Sequence, residues 1–135
     1  MRTLGQERAE FALNAVLENK NIDKLKSFSA GAPTVILQNG FGQAMAFWLS
    51  KGGNNEGKEK KYKFISDSIK NWLIKKEFIK SENNDNKKFI LKLSEINQNE
   101  YLAAQKEALL LLEWIKRYAS AFCQDEQDNN DKNGG

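Results

Sequence analysis

Lysine and arginine offer the most chemistry in this chain, with 21 of them against 18 acids. Their pattern suits anion recognition rather than catalysis. From Lys51 to Lys92 there are twelve lysines against six acids, a surplus of six. The remainder then carries −3, which the last twelve residues account for. A basic body with an acidic tail favours a polyanion, held mainly through its phosphates and released as salt rises. The candidate phosphate-contacting residues are Arg2, Arg8, Lys51, Lys58, Lys60, Lys61, Lys116 and Arg117. Lysines act as mobile point charges and carry no sequence information when they touch phosphate. No zinc-finger spacing, helix-turn-helix signature or RNP-type aromatic motif points to base reading. A blander reading stays open beside this one. A lysine-rich surface with plentiful Asn and Ile is also what an AT-rich genome produces, and each of these side chains would serve as solvated surface.

Catalysis has little to work with. The chain has no histidine, so no Ser-His-Asp, Cys-His or His-ligated metal site can be built. A carboxylate-only Mg²⁺ site is possible in principle, yet no D-x-D or E-x-x-D cluster sits beside an apolar pocket signal. Cys123 is the one cysteine. It cannot form an internal disulfide, fits a reducing cytoplasm, and reads as a small residue on the last helix. The expectation is a protein that is not an enzyme and has no metal or cofactor.

The elements that must carry the cations are helices. At 135 residues and 40% hydrophobic, one domain over 1–123 is the natural count, with an acidic, disordered tail over 124–135. No apolar run approaches the roughly 18 residues needed to span a bilayer. The first eight residues hold no apolar signal core, so a cytoplasmic location is expected. Thr3 with Gln6 reads as a capping box, opening a helix over 4–19 with Leu4, Phe11, Ala12, Ala15 and Val16 inward. Ile22, Leu25 and Phe28 indicate a short second helix ending before Pro33. Pro33 suits a first helical position. From there Leu37, Phe41, Ala44, Met45 and Trp48 form one stripe of a central helix reaching Lys51. That stretch is apolar on more than one side, and Gly40 and Gly42 within it suggest a bend or a close approach by another helix.

Lys51-Gly-Gly-Asn-Asn-Glu-Gly57 is a loop. Tyr62, Ile65, Ile69, Trp72, Leu73 and Ile79 then recur at helical spacing, with Lys70 and other lysines on the opposite side. After the polar linker 81–86, Phe89, Ile90, Leu93 and Ile96 mark a shorter helix. Asn97 with Glu100 gives a second capping pattern, and the last helix runs from about Gln98 to Cys123. Its stripe is Tyr101, Ala104, Ala108, Leu112, Ile115, Ala119 and Phe122, broadened by Leu109, Leu110, Leu111 and Trp114. The expected fold is all-α, a compact bundle of about five to seven helices around a central apolar helix.

Three blocks carry a resemblance. They are Met1-Arg-Thr-Leu-Gly-Gln-Glu-Arg-Ala-Glu-Phe-Ala12, then Asn39-Gly-Phe-Gly-Gln-Ala-Met-Ala-Phe47 followed by Leu49-Ser-Lys51, and Glu107-Ala-Leu-Leu-Leu-Leu-Glu-Trp-Ile-Lys-Arg-Tyr-Ala119. In order and separation they resemble the small helical subunit of the Cmr complex, the type III-B CRISPR effector, over residues 1–122. Gly5, the Asn-rich linkers and the acidic tail depart from that pattern. The resemblance implies a compact helical subunit of antiviral defence with no catalytic residues of its own. Copies of it would stack into a filament beside the backbone subunits, lining the channel where target RNA pairs with guide RNA. RNA cleavage would belong to the backbone subunits, and other activities to the large subunit. Arg2, Arg8, Lys51, Lys116 and Arg117 sit within or beside the matching blocks, whereas Lys58, Lys60 and Lys61 rest on charge alone. Two other readings stay open: a helical protein–protein adaptor without nucleic-acid contact, and a carboxylate-dependent nuclease.

Overall fold

The computed structural model describes residues 1–52, 59–81 and 85–124. These hold α1 (Leu4–Asn19), α2 (Leu25–Asn39), α3 (Phe41–Lys51), α4 (Lys60–Lys75), α5 (Asn86–Glu95) and α6 (Gln98–Phe122), with no strand among the described residues. The all-α expectation is borne out, and the helix count falls within the expected range. The glycine-rich loop from 53 to 58, the middle of the 81–86 linker and the acidic tail from 125 lie outside the described residues.

Both expected capping boxes form. Gln6 N donates to Thr3 Oγ1 at 3.1 Å, and Thr3 N donates to Gln6 Oε1 at 2.8 Å. At α6, Glu100 N donates to Asn97 Oδ1 at 2.9 Å while Asn97 N reaches Glu100 Oε1. Each box supplies acceptors for N–H groups that a helix start leaves without partners. α5 opens on a one-sided cap, the Asp85 carboxylate accepting from Lys87 N and Lys88 N. At the far end of α6 Cys123 is the C-cap, its N–H bonded to Ala119 O at 2.9 Å and the residue 5% exposed.

The middle of the chain differs from expectation. α2 runs through Pro33 rather than ending before it. A proline inside a helix removes one backbone donor and crowds the preceding turn. Here burial prevails, since Ala32, Pro33 and Ile36 are all buried. The real boundary is Gly40, whose φ of +86° and ψ of 157° end α2 and begin α3. That region of backbone space is essentially glycine-only. The expected single helix over 33–51 is therefore two helices. The break resets the helical phase, so Phe41, Ala44, Met45 and Trp48 are fully buried while Leu37 is 69% exposed. Gly42 supplies the close approach. Its N–H donates to Tyr101 Oη at 2.7 Å, and a Cβ there would stand 3.3 Å from that oxygen.

α6 packs along α1 and α2, α3 lies between α4 and α5, and α4 closes against α1, α2 and α6. Phe41 N, just past the end of α2, donates to Gln105 near the start of α6, whereas Lys26 at the start of α2 shares a groove with Lys116 near the end of α6. The two helices are thus antiparallel. α4 stops at Lys75, four residues before Ile79. Glu77 adopts a left-handed φ of 61°, and Phe78 and Ile79 both bond back to Leu73 O, which keeps Ile79 buried. Lys70, expected on the solvent side of α4, is 5% exposed, and its Nζ donates to Asn86 Oδ1 at 2.7 Å. No helix among the described residues is long and apolar enough to cross a membrane.

Two glycine substitutions should move stability in opposite directions. Gly40→Ala should lower the unfolding free energy by about 1–3 kcal/mol, because the methyl group cannot occupy that backbone region without strain. Gly31→Ala, inside α2 with open space around its Cα, should raise it by about 0.4–1 kcal/mol. Urea denaturation followed by far-UV circular dichroism checks both.

Candidate nucleic-acid interface

The expected cations do not converge on one surface. Lys58 lies outside the described residues. Arg8 is the clearest departure, because it is buried. Its Nε donates to Glu107 Oε1 at 2.7 Å and its second nitrogen to Oε2 at 2.9 Å, a bidentate pair joining α1 to α6. Trp72 Nε1 of α4 donates to the same Oε1 at 3.1 Å. With its guanidinium held inside the bundle, Arg8 leaves the set of phosphate-facing residues. The physical reason is register: Arg8, Ala12 and Val16 share the inward stripe of α1, so its side chain enters the core and meets an acid on the inward stripe of α6.

Arg2 is exposed and paired with Glu10 at 2.9 Å. Arg2 and Lys60 line a cleft of about 1020 Å³ between α1 and α4, floored in part by Phe11 and Phe64. Acids balance the cations there: Glu7 pairs with Lys76, and Asp67 with Lys63 at 2.6 Å. Lys75 and Lys76 lie over the rings of Phe11 and Trp72 at 5.7 and 5.6 Å. A balanced rim makes a poor phosphate track. Lys61 faces elsewhere, its Nζ 5.6 Å from the Phe28 ring centroid and 5.5 Å from that of Tyr62. Lys51 ends α3 on the surface, 6.0 Å over Phe47.

Lys116 and Arg117 are the pair that the fold does bring together with another cation. They line a surface groove between α2 and α6 with Lys26, Ala30 and Ser120, and no acid is among the lining residues. Lys116 also reaches Glu113 at 3.4 Å, one turn earlier on α6. Arg117 is exposed, with no acidic partner among the described residues. Lys26 is the member that charge counting along the chain missed, since it lies ninety residues before Lys116 and only the antiparallel packing of α2 on α6 joins them. The Glu7 carboxyl, on the cleft side, is held below its ordinary range chiefly by its hydrogen bond from Lys76; desolvation opposes this as the next largest effect, and the positive charges of Lys76, Arg2 and Lys75 lower it further.

Residues 4–122 match the family model described as CRISPR-associated protein (Cas_Cmr5). The fold is similar to the X-ray crystal structure of a CRISPR-associated Cmr5 family protein from Thermus thermophilus. The two share 24% sequence identity at a TM-score of 0.70, over 92% of this chain and 100% of that chain.

Arg8→Met should destabilise the fold by about 3–5 kcal/mol, because it strands the Glu107 charge in the core. Adding Glu107→Gln should recover more than half of that loss, since an uncharged amide can still accept from Trp72; chemical denaturation of the single and double variants measures both. Glu7 provides a pH test. With its folded pKa depressed, its contribution is present above the unfolded pKa and lost as pH falls through the folded one. NMR titration should place its midpoint below that of an ordinary glutamate, and Lys76→Met should move it back up.

Proposed function

This chain belongs to the CRISPR-associated Cmr5 family, and from that premise we propose that it is the structural small subunit of a type III-B Cmr effector, stacking in copies along the channel of guide and target RNA. It performs no chemistry of its own and works in the cytoplasm with the backbone subunits, which hold the guide RNA and cleave the target, and with the large subunit. The observation that carries the RNA contact is the groove that Lys26, Lys116 and Arg117 line together from α2 and α6. Cations from two helices on one face suit a phosphate chain of any sequence, because phosphate contacts position a nucleic acid without reading it. Arg2, Lys51, Lys60 and Lys61 are secondary contacts in this reading, because they lie apart from that groove, in the balanced cleft or over aromatic rings.

Stacking draws support from apolar side chains left on the outside. Leu37, Phe47, Leu91 and Leu102 are all exposed, on four different helices. Head-to-tail association needs two unlike faces, because it does not close on itself. The same residues would serve a protein adaptor without RNA, so the two readings part on salt. Single-stranded RNA should bind the purified protein at low salt and weaken steeply as salt rises. Lys116→Ala/Arg117→Ala should reduce the slope of log K against log salt by about 1.4, from roughly 0.7 per phosphate contact on a single strand, with helicity unchanged. A slope near zero, or no binding at low salt, selects the adaptor.

A further inference from the structure

We propose that the C-terminal part of α6 carries a stacking site for unpaired nucleotides of single-stranded RNA, built from Trp114, Tyr118 and Phe122 and bordered by Arg117. The proposal rests on the RNA reading above and goes beyond it, because phosphate contacts alone give these rings nothing to do. The three aromatics recur every fourth residue, so they follow one strip of the helix surface. Trp114 and Tyr118 have ring centroids 5.5 Å apart with planes 24° from parallel. Tyr118 and Phe122 continue the series at 6.3 Å and 26°. The other aromatic pairs among the described residues are tilted or edge-on, at 47° to 85°. This ladder is therefore the one place among them where near-parallel rings are arrayed; its two ends lie on the outside, with Trp114 36% and Phe122 49% exposed, while Tyr118 between them is half-buried against the core.

Charge decides the occupant. Arg117 follows Trp114 by three residues and precedes Tyr118 by one, and it has no acidic partner among the described residues. It opens onto the groove that also holds Lys26 and Lys116. Glu113, the acid nearest in sequence to Trp114, is already paired with Lys116. A near-parallel aromatic strip beside the Arg117 guanidinium matches what single strands require, a π-face for the bases and positive charge for the backbone. Every base offers a π-face, so the site tolerates any sequence.

Tryptophan makes the proposal testable. Trp48 and Trp72 are fully buried, which leaves Trp114 as the solvent-facing fluorophore. The full chain is titrated at low salt with a single-stranded oligouridylate and with an abasic ribose-phosphate oligomer of equal length. The oligouridylate should quench the red edge of the emission, and the abasic oligomer should bind without quenching. Trp114→Phe should bind within about twofold of wild type yet lose the quench. Trp114→Ala/Tyr118→Ala should bind roughly fivefold or more weakly, with an unaltered salt slope, because no cation has been removed. The proposal is overturned if the wild type binds without quenching, if the abasic oligomer quenches equally, or if the double alanine variant binds as tightly as wild type. It is also overturned if Trp114 emission shifts blue with protein concentration alone, which would make the ladder a contact between copies. Salt-dependent binding that ignores the ladder variants sinks this site and spares the RNA reading; no binding of either oligomer sinks both.

Discussion

One buried ion pair sets the terms for the bundle. Arg8 and Glu107 stand 99 residues apart in the chain and join its first helix to its last, while Trp72 brings α4 to the same carboxylate. Burying two charges carries a desolvation cost of several kcal/mol each, which only good geometry and further hydrogen bonds offset. Both conditions hold here: the guanidinium binds both carboxylate oxygens, and the indole takes a further lone pair. An interaction of this kind adds little net stability compared with an apolar core, but it penalises every other packing of the three helices. Sliding α6 by one turn against α1 would leave two unpaired charges in a dry interior. The pair therefore sets the register of α1, α4 and α6, and hence where the outer faces of α6 present their side chains.

Much of this was readable from local chemistry. The ends of α1 and α6 follow from Thr3 with Gln6 and Asn97 with Glu100, because capping is decided within four residues. The middle was not readable in the same way. Pro33 carries the usual mark of a helix start, yet burial of Ala32, Pro33 and Ile36 carried α2 through it. Gly40 and Gly42 look alike in sequence, but one allows a backbone turn and the other a close approach by Tyr101. Only neighbours distant in the chain distinguish them. Even so, a signal existed for Arg8 and Glu107. Each charge interrupts an otherwise apolar inward stripe, Arg8 before Ala12 and Val16, and Glu107 between Ala104 and Leu111. Opposite charges set in two such stripes are a reason to pair the helices.

The cations were legible as composition and not as a surface. Counting them places the excess between residues 51 and 92, whereas the groove between α2 and α6 draws on Lys26, Lys116 and Arg117, outside that window. Within it, Lys61 lies over two rings, Lys63 pairs with Asp67, and Lys70 is buried. Lys51, Lys61, Lys75 and Lys76 each set the ammonium group over an aromatic ring, a cation–π contact that holds the charge against its own surface. Net charge measures solubility and long-range attraction well, and the position of a binding face poorly.

Cys123 closes α6 as its C-cap and is nearly shielded from solvent, and the sequence holds no other thiol. A thiol reagent can therefore reach a single atom, and chiefly when the final turn of that helix unwinds. The rate of its modification becomes a clock for the opening of one helix end, a local event far smaller than global unfolding. Because the aromatic strip occupies the same last turns, whatever braces that strip should slow the clock.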